Sequence, residues 1–424
     1  MKVGIYTLGC KVNTYESEYI TKCLLENGYE ISNFDDICDI YVINTCTVTN
    51  TSDIKSRKII RQAKRRNPNA CVIAMGCFVQ KSEELIDEID IALGNKDKSK
   101  IIDLIEEYFA KKEKLNRVVS KENLNIFEDM YLDKYLNRTR AFVKIQDGCE
   151  NFCSYCIIPF VRGKCRSKDF NKTLEEINTL VNNGFKEIVL TGIHTGNYGR
   201  DINTSFANLL REIVKIKDLK RIRISSIEQT ELTKEVLEII KENEIIVDHL
   251  HIPIQAASNE VLTTMNRKYN IDEFKAKIEE IRAIRPNISI TTDIIVGHPG
   301  ETNEIFEKSI DTLREINFSK LHVFPYSKRD GTVSASLPQI DEQIKKERAH
   351  KLLSLSKELE INYMNKFLNK ELEVLIERND GTISLGHTSN YLQIKVLGTY
   401  NSGEFKTVRL ETIDYPYIIG KVVE

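Results

Sequence analysis

Three cysteines crowd into the run GCENFCSYC, where Cys149, Cys153 and Cys156 are spaced C-x3-C-x2-C directly after a predicted strand. Thiols set that closely can face one point. Thiolates hold iron-sulfur clusters, and four of them complete an electron-transfer cubane. Three leave one iron open, able to bind a small molecule and pass it an electron. The competing chemistry is a zinc site, which prefers four ligands and would need Cys165 or a histidine as the fourth. Three further cysteines, Cys10, Cys46 and Cys77, are far apart in sequence, yet each follows immediately on a predicted strand, in IYTLG, VINT and IAMG. Strands of a parallel sheet end on one edge, where ligands bind in open α/β folds, so these thiols too can converge. Glycine ahead of Cys10 and Cys77 lets the chain bend tightly round a bulky group. Buried strand-end thiols without a ligand are the alternative. Cys23 on an apolar helix face, Cys71 inside a strand, and Cys38 and Cys165 at edges read as buried or incidental thiols.

The elements that must position these residues follow from hydrophobic periodicity. Residues 1–112 show the strands VGIYTLG, DIYVINT, ACVIAMG and IDIALGN with helical stretches over 17–27, 54–66 and 82–88, the pattern of a parallel α/β sheet domain. Charged, weakly periodic sequence over 110–137 reads as a linker. Within 135–365 the strands AFVKIQ, EIVLTG, KRIRISS, HLHIPIQ, SITTDIIVG and KLHVFPYS alternate with helices. Six βα repeats predict a partial parallel (βα)6 barrel with its site at the carboxyl ends of the strands. After a long helical pattern over 342–367, residues 367–424 turn to short alternating strands broken by NDG, GHTSN and YNSGE, a small all-β barrel of a kind that often binds oligonucleotides.

Composition sets bounds on function. At 424 residues the chain has room for several domains, and 29% charged with 41% hydrophobic residues is ordinary for a globular protein. No apolar run is long enough to span a bilayer, so no membrane partner is expected. The start MKVGIYTLGC reads as a strand and not as a secretory signal, which predicts a cytoplasmic location. In such a reducing compartment clustered thiols bind metal more often than they pair. A net charge of −2 means that any contact with nucleic acid needs a local basic patch.

The central triplet and its place after the first barrel strand resemble the radical S-adenosylmethionine superfamily. That resemblance implies a [4Fe-4S] cluster whose open iron holds the methionine moiety of S-adenosylmethionine, and an electron that splits the sulfonium to a 5′-deoxyadenosyl radical. It also implies cofactor contacts: Tyr155 against the adenine, Thr191 and Gly192 after the second strand, and Ser225, Ser226 and Glu228 after the third. Gln255 after the fourth, and Gly297 and Gly300 at the end of the fifth, complete that set. The second-strand segment reads TGIHTG in place of the superfamily's usual glycine-glycine-glutamate.

Taken with Cys10, Cys46 and Cys77, the start GCKVNTYESE and the terminal β module, the chain closely resembles the methylthiotransferases over almost its whole length. GCKVN and TGIHTGNYG look most like the members that act on N6-threonylcarbamoyladenosine beside the anticodon of transfer RNA. The family implies a second [4Fe-4S] cluster on Cys10, Cys46 and Cys77 that carries the sulfur to be inserted. One S-adenosylmethionine methylates that sulfur, and a second supplies the radical that removes hydrogen from C2 of the adenine. The terminal module is similar to the family's TRAM domain, an RNA-binding β barrel. A reductant such as flavodoxin or ferredoxin is the further partner implied. No catalytic residue is assigned beyond the cluster ligands. Isopentenyl-adenosine enzymes typically show glutamine-methionine-asparagine where this chain has KVN, and ribosomal-protein enzymes proline-lysine-asparagine. A non-catalytic cluster-bearing RNA-binding protein is the alternative from another class, against which the three-cysteine count argues.

Basic residues cluster in KSRKIIRQAKRR over 55–66, a phosphate-contact candidate whose ordinary explanation is a solvated helix face. Tyr391, Phe405 and Lys395 are candidates for base stacking and phosphate binding, or else barrel core. His194, His249, His251 and His298 lie at strand ends, where they can line a pocket. The runs MNRKY over 265–269 and FPYSKRDGT over 324–332 read as segments shaping the barrel mouth.

Overall fold

In a computed structural model, all residues but 83–85, 137 and 424 are described. The first sheet runs β1 (Lys2–Thr7), β2 (Glu30–Ser32), β3 (Ile40–Thr45), β4 (Cys71–Gly76), β5 (Ile91–Leu93) and β6 (Leu115–Asn116), all parallel, in the order β2-β1-β3-β4-β5-β6. Alternation along β3 explains the two layers of helices. Ile40 and Val42 pack with Ile20, Leu24 and Leu104 of the helices Lys11–Glu26 and Ile101–Lys111, whereas Tyr41 and Ile43 pack with Ile59 and Ile60 of the helix Asn50–Arg66. The edge strands β2 and β6 are additions to the sequence reading, and β6 falls in the segment expected as linker. The helix expected over 82–88 lies partly outside the described residues; the helix after β4 is Cys77–Lys81, and 86–88 form no helix.

The central unit contains β7 (Arg140–Lys144), the short antiparallel pair β8 (Gln146–Asp147) and β9 (Arg166–Ser167), then β10 (Glu187–Thr191), β11 (Arg221–Ile224), β12 (His249–His251), β13 (Ser289–Val296) and β14 (Lys320–Pro325). Its six barrel strands are parallel but form two triplets, β11-β10-β7 and β12-β13-β14, with a bridge between Ile222 of β11 and Ile246 just ahead of β12. Leu250, Ile290, Leu321, Ile222 and Ile224 face the surrounding helices in one apolar core. Alternate positions of β12, β13 and β14 face inward and are polar: His249, His251, Thr291, Asp293, Lys320 and His322. An ordinary barrel interior is filled with branched aliphatic side chains. This one is built as a lumen.

The chain ends in a closed five-stranded barrel, β15 (Glu371–Asn379), β16 (Ile383–Thr388), β17 (Gln393–Leu397), β18 (Phe405–Asp414) and β19 (Tyr417–Val422), in the order β15-β16-β17-β19-β18. Val374, Ile376, Ile394, Val408 and Leu410 fill it, and Met364 and Phe367 from the helix Glu342–Asn365 and its end cap it. It docks against β11: Arg221 donates to the Glu373 carbonyl at 2.8 Å, and the Asp248 amide donates to Ser389 Oγ at 3.0 Å. Between the first sheet and the central unit lies a buried ionic network. Glu16 pairs with Lys98 and with Lys144 (2.8 Å), and Asp147 pairs with Lys144 (2.7 Å), Arg162 (3.0 Å) and Arg166 (3.1 Å). No described helix is long and apolar enough to cross a membrane.

Candidate active site

Cys10, Cys46 and Cys77 stand at the carboxyl ends of β1, β3 and β4, at the point where the strand order reverses and where such sheets bind ligands. Cys10 precedes the helix Lys11–Glu26 and Cys77 opens the helix Cys77–Lys81, so two of the three thiols sit where a strand turns into a helix. Gly9 and Gly76 have φ of +97° and +94°. A Cβ on Gly9 would fall 2.9 Å from Cys46 Cβ, and one on Gly76 2.7 Å from the Thr45 carbonyl oxygen. Glycine is required at both positions, and at Gly9 it lets the Cys10 turn close onto Cys46. Asn95 donates to Cys77 Sγ at 3.5 Å, and the buried Arg162 donates to Asn13 at 2.6 Å on the other side.

Cys149, Cys153 and Cys156 lie on the loop between β8 and β9. The loop is pinned by its neighbours. The Ser154 amide donates to the Met265 carbonyl (3.0 Å), Ser154 Oγ donates to the Thr264 carbonyl (2.7 Å), and Asn266 donates to the Phe152 carbonyl (3.1 Å). Arg267 Nη1 stands 3.2 Å from Cys153 Sγ, and its other end pairs with Glu228. Burial raises the Cys153 thiol while Arg267 opposes the rise; at Cys156 burial pushes the thiol up to about 12. Thiols so reluctant to ionise become anionic when a metal takes the proton's place. Among the described residues no three His, Cys, Asp or Glu side chains close on a single metal ion. Tetrahedral zinc would need sulfurs about 4 Å apart. Two all-sulfur sets of three fit iron-sulfur groups, which thiolates hold.

The central triplet opens on a cavity of about 330 Å³ that Tyr155, Ser226, Glu228 and Gln255 also line, together with His194 and Arg267. Gln255 holds a left-handed backbone, φ +62°, fixed by β-type bonds to Asp293 and Ile295. A second cavity, of about 700 Å³, occupies the polar lumen. Cys10 and Lys11 form one wall, Thr191, Gly192 and Ser225 another, and Tyr391 of the terminal barrel closes one end. Ser226, Asp293 and Phe324 belong to both cavities, so Cys10 and the central triplet look into one connected space.

Of the expected cofactor contacts, Tyr155, Ser226, Glu228 and Gln255 gather at the central triplet, and Thr191, Gly192 and Ser225 face the second cavity. Gly297 and Gly300 line neither. A Cβ on Gly297 would fall 2.4 Å from Lys345 Cγ, so that glycine admits the helix Glu342–Asn365. Tyr391 and Phe405 do not point outward as stacking platforms: Tyr391 packs on His387 (4.8 Å) and His249 (4.7 Å), and Phe405 lies under Arg221. Lys395 pairs with Asp414. The 55–66 run does form an exposed helix face, on which Lys55, Arg57, Lys58 and Arg65 have no ion-pair partner among the described residues. Residues that the sequence reading missed include Arg267 and also Arg329, which donates to Asp53 (2.6 Å) and Thr47 (2.8 Å) and so ties the Cys46 loop to the central unit. Their signal was the pair of runs MNRKY and FPYSKRDGT. The lumen residues had one too, in the alternating charge of RIRIS, HLHIP and KLHVF.

Comparison with known proteins agrees with this geometry. The profile of the Radical SAM superfamily matches residues 143–313, and that of an uncharacterized protein family, UPF0004, matches 2–94. The chain is 42% identical to the threonylcarbamoyladenosine tRNA methylthiotransferase MtaB of Bacillus subtilis (strain 168), over 99% of this chain and 96% of the relative. It is 38% identical to the protein of the same name in Aquifex aeolicus (strain VF5), over 96% and 100%. Among solved structures, the radical S-adenosylmethionine methyltransferase TsrM of Kitasatospora setae, with cobalamin and a [4Fe-4S] cluster bound, shares the fold at a TM-score of 0.58 and 14% identity. That match covers 79% of this chain and 77% of that one.

Proposed function

The chain belongs to the radical S-adenosylmethionine methylthiotransferases, and from that premise we infer that it places a methylthio group at C2 of N6-threonylcarbamoyladenosine beside the anticodon of transfer RNA. The relatives' shared name supports the substrate. The observation that carries the reaction is the wall of Ser226, Asp293 and Phe324 common to both cavities. A base held against that wall has the cofactor side on one edge and the sulfur side on the other.

Cys149, Cys153 and Cys156 would hold one [4Fe-4S] cluster, and Cys10, Cys46 and Cys77 the second. When bound, the first cluster and S-adenosylmethionine supply one-electron cleavage and hydrogen abstraction, and the second cluster carries the sulfur. The chain's own residues do the positioning. Arg267 sets a positive charge against the Cys153 sulfur and is held there by Glu228, so the cavity keeps its charge balanced on that side. Tyr155 and Gln255 shape the wall facing the cofactor, and Arg329 ties the Cys46 loop to the central unit. The exposed Lys55, Arg57, Lys58 and Arg65 face supplies phosphate contact. A low-potential reductant such as flavodoxin or ferredoxin, and a cytoplasmic site of action, complete the reading.

The two cysteine sets give the test. Cys153→Ala should abolish cleavage of S-adenosylmethionine, whereas Cys46→Ala should spare that cleavage and stop sulfur insertion. A Cys46→Ala protein that still made the methylthio product in full would remove the second site from the reaction.

A further inference from the structure

The basic side chains around the lumen cavity are not equally matched. Lys320 is paired with Glu360 at 2.7 Å, and His251 Nε2 lies 3.3 Å from Asp293. Lys11, in the first turn after Cys10, lines the same cavity with no carboxylate in ion-pair range among the described residues. In the wall with it is His249, 6% exposed, whose Nε2 meets Thr291 Oγ1 at 3.1 Å while Nδ1 has no partner among the described residues. An ammonium lining a cavity without a counter-ion is poorly compensated, and an unpartnered buried nitrogen adds to the deficit. Both are met by an anionic, hydrogen-bonding group that arrives with the substrate.

We propose that Lys11 receives the carboxylate of the N6-threonylcarbamoyl group, making the lumen the subsite that selects this substituent over an uncharged one. The inference rests on the substrate reading above. Its geometry is a matter of adjacency. Lys11 follows Cys10 directly, so a base whose C2 is offered to the sulfur side brings its N6 substituent, on the same edge of the ring system, into the lumen beside Lys11. Asp293 and Glu360, the acids of the lining, are both engaged, by His251 and Lys320, and leave that position to the ligand.

The test compares anticodon stem-loop RNAs carrying the nucleoside as the free acid, as its threonyl methyl ester, and as plain adenosine. Binding to the cluster-loaded protein is read by fluorescence anisotropy, for wild type, Lys11→Gln and Lys11→Arg. A charge-assisted contact should favour acid over ester by about ten- to a hundredfold in wild type. Lys11→Gln should erase that ratio with ester affinity unchanged, and Lys11→Arg should keep it. If Lys11→Gln weakened acid, ester and plain RNA alike, Lys11 would be a backbone-phosphate contact or a structural residue, and the subsite would be wrong. Nucleoside analysis of the same wild-type reactions separates the two levels. Product on the acid with an unchanged acid-to-ester ratio in Lys11→Gln overturns the subsite alone, whereas no product on acid or ester overturns the substrate reading beneath it.

Discussion

Single side chains join the parts of this protein through buried charge. Glu16 and Asp147 would be raised by burial alone, but Lys144, Lys98 and Arg162 around the first, and Arg166, Lys144 and Arg162 around the second, hold both carboxyls well below the usual range. Unfolded, they would take up protons near pH ~4; folded, they resist until the pH is far lower. The stability they contribute is therefore complete above about pH 4.5 and is lost as the pH falls below it. Glu16→Gln should destabilise the protein at neutral pH by about 3–5 kcal/mol, because three cations lose their shared counter-ion. It should also flatten the acid side of the stability profile, which thermal unfolding between about pH 7 and pH 3 would measure. Cys10, Cys46 and Cys77 could be singled out because each follows a strand end, and Cys149, Cys153 and Cys156 because of their spacing. Lys11 and Arg267 could not, because their meaning comes from neighbours across the fold: Arg267 meets a sulfur 114 residues away.

At the scale of elements, the long amphipathic helices and six inward strands were readable from period alone, while β2 and β6, with three and two residues, are too short to show one. The division of the six strands into two triplets left no trace in local pattern, since it depends on how far β11 and β12 spread round the lumen. The polar alternation of RIRIS, HLHIP and KLHVF was visible, yet a half-solvated strand has the same pattern as a strand facing a polar cavity. The basic helix makes a prediction of its own. Lys55, Lys58 and Arg65 share one exposed face, three and seven residues apart. Replacing all three by glutamine should weaken transfer-RNA binding and lower the slope of log affinity against log salt by about 1 for each phosphate no longer neutralised. Cleavage of S-adenosylmethionine should be unchanged. An unaltered salt slope would make that face a solvated surface.

Across the whole molecule, three units enclose one space. The first sheet brings Cys10, the central barrel brings the second triplet and the polar lumen, and the terminal barrel closes the lumen with Tyr391, whose ring lies between those of His249 and His387. Arg329 and the Glu16 network fix the first unit on the second, and Arg221 fixes the third. The terminal module was legible as a small barrel, but its docking on β11, which turns Tyr391 and Phe405 inward, needed the assembled fold. The most direct measurement is mass spectrometry of transfer-RNA nucleosides after anaerobic incubation with the reconstituted protein, S-adenosylmethionine and a reductant. We expect 2-methylthio-N6-threonylcarbamoyladenosine to appear. A methylthio group found only on isopentenyl-adenosine, or no modified nucleoside from protein with both clusters intact, would contradict the assignment.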